Sequence, residues 1–167
     1  NCGSSDANSR YSDGHAYCFA CQTYTPADGD NYTPRMNTNV QFLGSAEQLQ
    51  KRRISEKTNE FYRIYRHGNT LRFPYYDESG RVVGFKIKTK SKDFHYEGAT
   101  ASCLFGQHLF PTSGKRIVIT EGELDAASCY EVMSGWPMVS LPHGAAAAKK
   151  DLQKAIPFLQ GYQEIVL

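Results

Sequence analysis

Nowhere in its 167 residues does the chain hold an apolar run near the roughly 20 residues that a membrane-spanning helix requires. It also lacks the charged-then-apolar opening of a secretory signal. A soluble cytoplasmic protein, or a piece of one, is the expectation. There is no initiating methionine: the chain opens on Asn1 and closes on Glu164-Ile-Val-Leu167, so both ends read as cut.

Acids are scarce in one place. From Lys51 to Lys92 there are twelve Lys/Arg against four Asp/Glu, a balance of +8 in a chain whose formal net charge is +2. The remainder holds seven basic and thirteen acidic residues, a balance of −6. A basic middle between acidic flanks points to a polyanion path beside a metal-binding region. A solvated positive face has the same composition.

Cysteine is sparse as well, and three of the five fall within the first 21 residues. The pair Cys18-Phe-Ala-Cys21 needs only a tight turn to bring two thiolates onto one tetrahedral ion. Cys2 precedes Cys18 by fifteen intervening residues, the spacing of a zinc ribbon whose first ligand would lie three positions before Cys2. The alternatives are His15 as fourth ligand, a disulfide, or unpaired thiols, and an intracellular setting disfavours the disulfide. Asn8 to Tyr17 alternates as a hairpin around an Asp13-Gly14 turn. Such a turn presents Arg10, Tyr11, Asp13 and His15 on a small platform able to read bases, although hairpin packing accounts for Tyr11 and Asp13 equally well. Cys103 and Cys129 read as small core residues.

What is present is organised around Lys115-Arg-Ile-Val-Ile-Thr-Glu-Gly-Glu-Leu-Asp125. Ile117, Val118 and Ile119 predict a short buried strand, and Glu121-Gly122 stops it before a helix over roughly 123–134. Glu121 therefore falls at the C-terminal end of a strand, where ligands and chemistry collect in open α/β sheets. A carboxylate there suits Mg²⁺ binding or proton transfer. Glu123 and Asp125, in the first helical turn, read equally well as helix-start acids. A second strand over 137–141, the loop Pro142-His143-Gly144, an Ala-rich helix to about Leu159 and a third strand from Gln163 continue the rhythm, predicting a parallel sheet.

Upstream, Gln22 to about Asn39 reads as a linker. Ala46 to Tyr65 is helix-compatible, with a second helix start at Ser55-Glu-Lys-Thr. Thr70 to Tyr76 is strand-like and Asp77 to Gly80 a turn. Arg81 to Lys90 alternates, placing Val83, Phe85 and Ile87 on one face and Lys86, Lys88, Lys90 and Lys92 on the other. Alternate strand residues lie about 6.6–6.8 Å apart, a spacing that matches successive phosphates of an extended strand. In the apolar segment 101–110, His108 is either a substrate contact or a hydrogen-bonded structural histidine.

These motifs occur in one order: Cys-x-x-Cys, Ser12-Asp-Gly-His15, the lysine strand, Ser102-Cys-Leu-Phe-Gly106, Val118-Ile-Thr-Glu-Gly-Glu-Leu-Asp125 and Val139-Ser-Leu-Pro-His-Gly144. Together they resemble the primase half of the bifunctional primase–helicases of T-seven-like phages, relatives of bacterial primases and of the mitochondrial helicase Twinkle. The resemblance implies a zinc-ribbon β domain over 1–24 and a linker over 25–40. A mixed α/β (α+β then α/β) primase core follows, with an N-terminal subdomain over 41–110 and a truncated TOPRIM parallel sheet over 111–167. It implies that Cys2, Cys18 and Cys21 hold structural Zn²⁺, with Asp13 and His15 near the template-reading surface. Glu121 becomes the first carboxylate for Mg²⁺ or Mn²⁺, partnered in relatives by an Asp-x-Asp after the third strand. Lys86 and Lys92 become the residues that position nucleotide and DNA, with Lys88, Lys90, His108, His143 and Gly144 as further contacts. The implied reaction is two-metal synthesis of short RNA primers on single-stranded DNA from ribonucleoside triphosphates. The implied partners are a helicase domain of the same polypeptide and a replicative DNA polymerase, in a host-cell cytoplasm and without a membrane. Without the first zinc cysteine and the Asp-x-Asp, the piece alone is expected to be inactive. A non-catalytic, Twinkle-like helicase-docking module is the alternative, and a TOPRIM nuclease the third.

Overall fold

The computed structural model describes residues 8–10, 16–18 and 23–25, then 40–91, 93–99, 101–133 and 135–167. The chain divides into two units, Asn1–Arg35 and Met36–Leu167. In the first, β1 (Asn8–Arg10), β2 (Ala16–Cys18) and β3 (Thr23–Thr25) form an antiparallel sheet in that order. The register Asn8↔Cys18 and Arg10↔Ala16 is that of the expected hairpin, and it places the Cys18 backbone on the central strand. Cys2, Asp13, His15, Cys21 and residues 26–39 of the expected linker lie outside the described residues, as does Lys92.

The second unit opens with a 3-10 turn, Gln50–Arg52, and one short helix. Over the helix-compatible stretch 46–65, with its second helix start at Ser55, the chain breaks twice, at Arg53 (φ 55°) and Arg63 (φ 54°). Both adopt the left-handed conformation that ends a helix. Between them lies α1 (Glu56–Tyr62), started by Ser55, whose hydroxyl accepts from the Thr58 N–H at 3.2 Å. The same hydroxyl donates to Glu131 at 2.9 Å. Hydrogen bonds from Thr58 and Ser55 hold the Glu131 carboxyl below its ordinary range. Ser55→Ala removes the cap and this inter-helix link together, so urea unfolding should show a loss of about 1–2 kcal/mol with an unchanged m-value.

An antiparallel sheet follows in the order β4 (Tyr65–His67), β5 (Thr70–Tyr76), β6 (Val82–Lys88), β7 (Phe94–Gly98). Alternation on β6 is as expected: Phe85 and Ile87 are buried, while Lys86 and Lys88 face the other way. The lysine row is shorter than the pattern implied. Beyond Lys88 the chain turns, because Thr89 N–H donates to the Asp93 carbonyl, Asp93 N–H to the Thr89 hydroxyl and the Ser91 hydroxyl to the Asp93 carboxylate. Polar side chains that bond their own backbone compete with a strand ladder. Lys90 therefore sits exposed in a turn rather than on the strand.

The last third is the expected parallel sheet. Strand β8 (Gly114–Thr120) leads to α2 (Glu123–Val132), β9 (Met138–Ser140), α3 (Ala148–Leu159) and β10 (Tyr162–Val166), with sheet order β10-β8-β9. Right-handed crossovers are the rule for such units. One core lies under α3 around Ile117, Val139 and Phe158. The other joins β5, α1 and α2 around Phe105, whose ring lies 5.5 Å from Tyr62 and 5.8 Å from Tyr75. Phe105 also bridges to Ser140 through backbone hydrogen bonds, tying the 101–110 segment to β9. Among the described residues, no helix is long and apolar enough to cross a membrane.

Candidate active site

Strands β8 and β9 end side by side, so Glu121 and the loop after Ser140 emerge at one edge of the parallel sheet. The polar face of β6 and β7 stands opposite. Between them lies a cleft of about 530 Å³, lined among others by Lys86, Lys88, Tyr96, Glu121, His143 and Gly144. Five residues singled out in the sequence thus meet in one place: Lys86, Lys88, Glu121, His143 and Gly144. Lys90 is absent from the lining, and His108 belongs elsewhere. It stacks on Tyr76 with centroids 3.5 Å apart beside a separate cavity of about 320 Å³. Burial, and secondarily the Arg63 charge, lower its pKa to about 4, so it is neutral at physiological pH.

The floor of the cleft is a polar network absent from the sequence reading. Lys86 Nζ donates to Glu123 at 2.7 Å and to the Pro142 carbonyl at 2.9 Å. Tyr75 donates to the same Glu123 oxygen at 2.6 Å, and Tyr96 to the Pro142 carbonyl at 3.1 Å. The Lys86 and Glu123 side chains are only 12% and 5% exposed, so the pair is an internal ion pair. Burial and the Glu123 carboxylate push the Tyr75 hydroxyl well above its ordinary pKa. Burial, Glu123 and Asp151 push Tyr96 up to about 12. Both phenols stay protonated at neutral pH and serve as donors.

The walls are basic and aromatic. Phe94 lies under both lysines, with Lys86 Nζ 4.9 Å and Lys88 Nζ 5.5 Å from its centroid. Arg52 crosses the mouth to Asp125 at 2.7 Å. Deep in the rim, His143 Nδ1 lies 3.0 and 3.2 Å from the two carboxylate oxygens of buried Asp151.

The acids are unequal as metal ligands. Glu123 is held by Lys86 and Tyr75, Asp125 by Arg52 and Asp151 by His143, which leaves Glu121 as the exposed carboxylate without such a partner among the described residues. No three His, Cys, Asp or Glu side chains among the described residues could share a metal ion. A divalent cation therefore finds one ready oxygen ligand here, too few for a site of six or more oxygens. The sequence offered no route to Tyr75, Tyr96, Arg52 or Asp151, because each acts through a partner distant in the chain. Glu123 alone carried a signal, its place two residues after Glu121.

No family model matches the chain. It is 35% identical over its whole length to the DNA helicase/primase of Enterobacteria phage T3, and spans 33% of that relative. It is 34% identical to the crystal structure of the primase fragment of the bacteriophage T7 primase–helicase, with a TM-score of 0.71, covering 99% of this chain and 74% of that one. A structure of the T7 lagging-strand DNA polymerase interacting with primase domains bound to an RNA/DNA hybrid and dTTP matches at 36% identity and a TM-score of 0.68, covering 99% and 74%.

Proposed function

The chain belongs to the family of the phage T3 and T7 primase–helicases, matching their primase part, and from that premise we propose that the cleft is the nucleotidyl-transfer site of a DNA primase. The observation that carries this reading is the convergence, at one sheet edge, of an exposed carboxylate, two lysines and an aromatic wall. Lys88 and Lys86, set on alternate positions of β6, present positive charge where a triphosphate or a DNA backbone would lie. Phe94 and Tyr96 add flat surface against which a base can stack. The Lys86 ammonium, held by Glu123 and the Pro142 carbonyl, is fixed in place and so needs no reordering when an anion binds.

The rest of the proposal follows the resemblance. Single-stranded DNA is the template and ribonucleoside triphosphates are the substrates. A helicase domain in the same polypeptide and a replicative DNA polymerase are the protein partners. Cys2, Cys18 and Cys21 have the spacing for structural Zn²⁺, with Asp13 and His15 at the template. Mg²⁺ or Mn²⁺ would take Glu121 as one ligand and draw its others from outside the described residues.

The test is primer synthesis by the intact protein on single-stranded templates with labelled ribonucleotides and Mg²⁺. Short RNA products are the expected result. No product, with DNA binding retained, would replace this reading with a helicase-docking module.

A further inference from the structure

Nucleotidyl transfer requires a group to take the proton of the attacking 3′-hydroxyl, and most acids and phenols around the cleft are already committed. Glu123 is neutralised by Lys86, Asp125 is held by Arg52, and Tyr75 and Tyr96 are donors. Glu121 is exposed and is the carboxylate proposed above to take a divalent cation. His143 remains. Its ring lines the cleft, its side chain is 30% exposed, and Nδ1 is occupied by the carboxylate of Asp151, itself 4% exposed. A buried carboxylate with both oxygens within reach of Nδ1 accepts its N–H, so in the neutral imidazole the proton sits on Nδ1 and Nε2 carries the lone pair.

We propose that Asp151 is a positioning residue that fixes His143 with Nε2 as the proton acceptor of the reaction in this cleft, an inference that rests on the primase reading. The 3′-oxygen forms its bond to the α-phosphorus while the bond between that phosphorus and the bridging oxygen breaks. Pyrophosphate leaves with the electron pair, and the hydroxyl proton passes to Nε2. The groups facing the ring are Asp151 from α3, Tyr96 from β7, with centroids 6.2 Å apart, and across the cleft Lys86, Lys88 and the acids at the start of α2. Asp151 bonds the ring at Nδ1 and so sets its tautomer.

The experiment compares the unaltered intact protein with Asp151→Asn, His143→Gln and the double variant, first checking that all melt alike. Primer synthesis should fall in kcat by about 10²-fold in each single variant, with KM for the ribonucleotides unchanged. The double variant should fall no further than His143→Gln, because the two residues act as a unit. Histidine ¹⁵N spectra, with the His143 signal identified by its loss in His143→Gln, should show the Nδ1–H pattern in the unaltered protein. In Asp151→Asn they should show the Nε2–H pattern. Full kcat in Asp151→Asn, additive losses, or an unchanged tautomer would overturn the proposal while the primase reading stands. Absence of primers from the unaltered protein would overturn both.

Discussion

Glu123→Ala should lower the unfolding free energy of the 36–167 unit by about 3–5 kcal/mol, the usual cost of stranding one partner of a buried ion pair. Among the described residues, the Lys86 ammonium would be left nearly enclosed with the Pro142 carbonyl alone to accept from it, and the buried Tyr75 hydroxyl would lose its acceptor. In a scan the melting midpoint should drop by roughly 10–15 °C for a unit of this size. Removing both charges separates the pair from its parts. Lys86→Met combined with Glu123→Leu should recover most of the loss, since an apolar pair of similar volume is often as stable as a buried ion pair. A double variant no more stable than Glu123→Ala would show that Glu123 acts through something other than Lys86.

Two residues earlier the expected outcome reverses. Glu121→Gln should leave the unfolding free energy within about 0.5 kcal/mol of the unaltered protein, because the side chain is exposed and makes no hydrogen bond or ion pair among the described residues. Primer synthesis should nevertheless fall by about 10²-fold or more, since the carboxylate would hold a divalent cation that offsets the negative charge of the transition state, an effect of several kcal/mol. The neutral amide keeps the shape and removes only the charge, so a lost activity would be electrostatic in origin. Primer yield from the intact Glu121→Gln protein on a single-stranded template decides the matter, and normal yield would remove Glu121 from the active centre.

The contrast between these neighbours also shows what a linear sequence can disclose. Local patterns were readable because they depend on adjacent residues: Phe85 and Ile87 alternate with Lys86 and Lys88 in the pattern that β6 buries and exposes. The β-branched run before Glu121 likewise forms β8, and the strand–helix rhythm after it gives three parallel strands. Glu121 was legible for the same reason, as the residue after a strand. Glu123 was ambiguous because its role depends on Lys86, thirty-seven positions away and on another sheet. Asp151 was invisible, because nothing in an Ala-rich helix indicates that its single acid turns to a loop histidine. The lysine row was read too long, since Thr89, Ser91 and Asp93 form a self-bonded turn that alternation alone does not exclude. His108 followed an apolar segment into a different cavity, where burial keeps it neutral.

One carbonyl has a consequence for what the cleft can admit. Pro142 offers a single oxygen to both Lys86 and Tyr96, so the loop after β9 is latched to β6 and β7 at one point. That oxygen sets the gap between the two sheets much as a spacer sets the jaws of a clamp. A ligand too thick for the gap must release two hydrogen bonds at once, about 1–3 kcal/mol together or more where one donor is charged. A thinner one leaves the latch closed. The width of the opening is therefore tied to whether the Pro142 oxygen keeps both Lys86 and Tyr96.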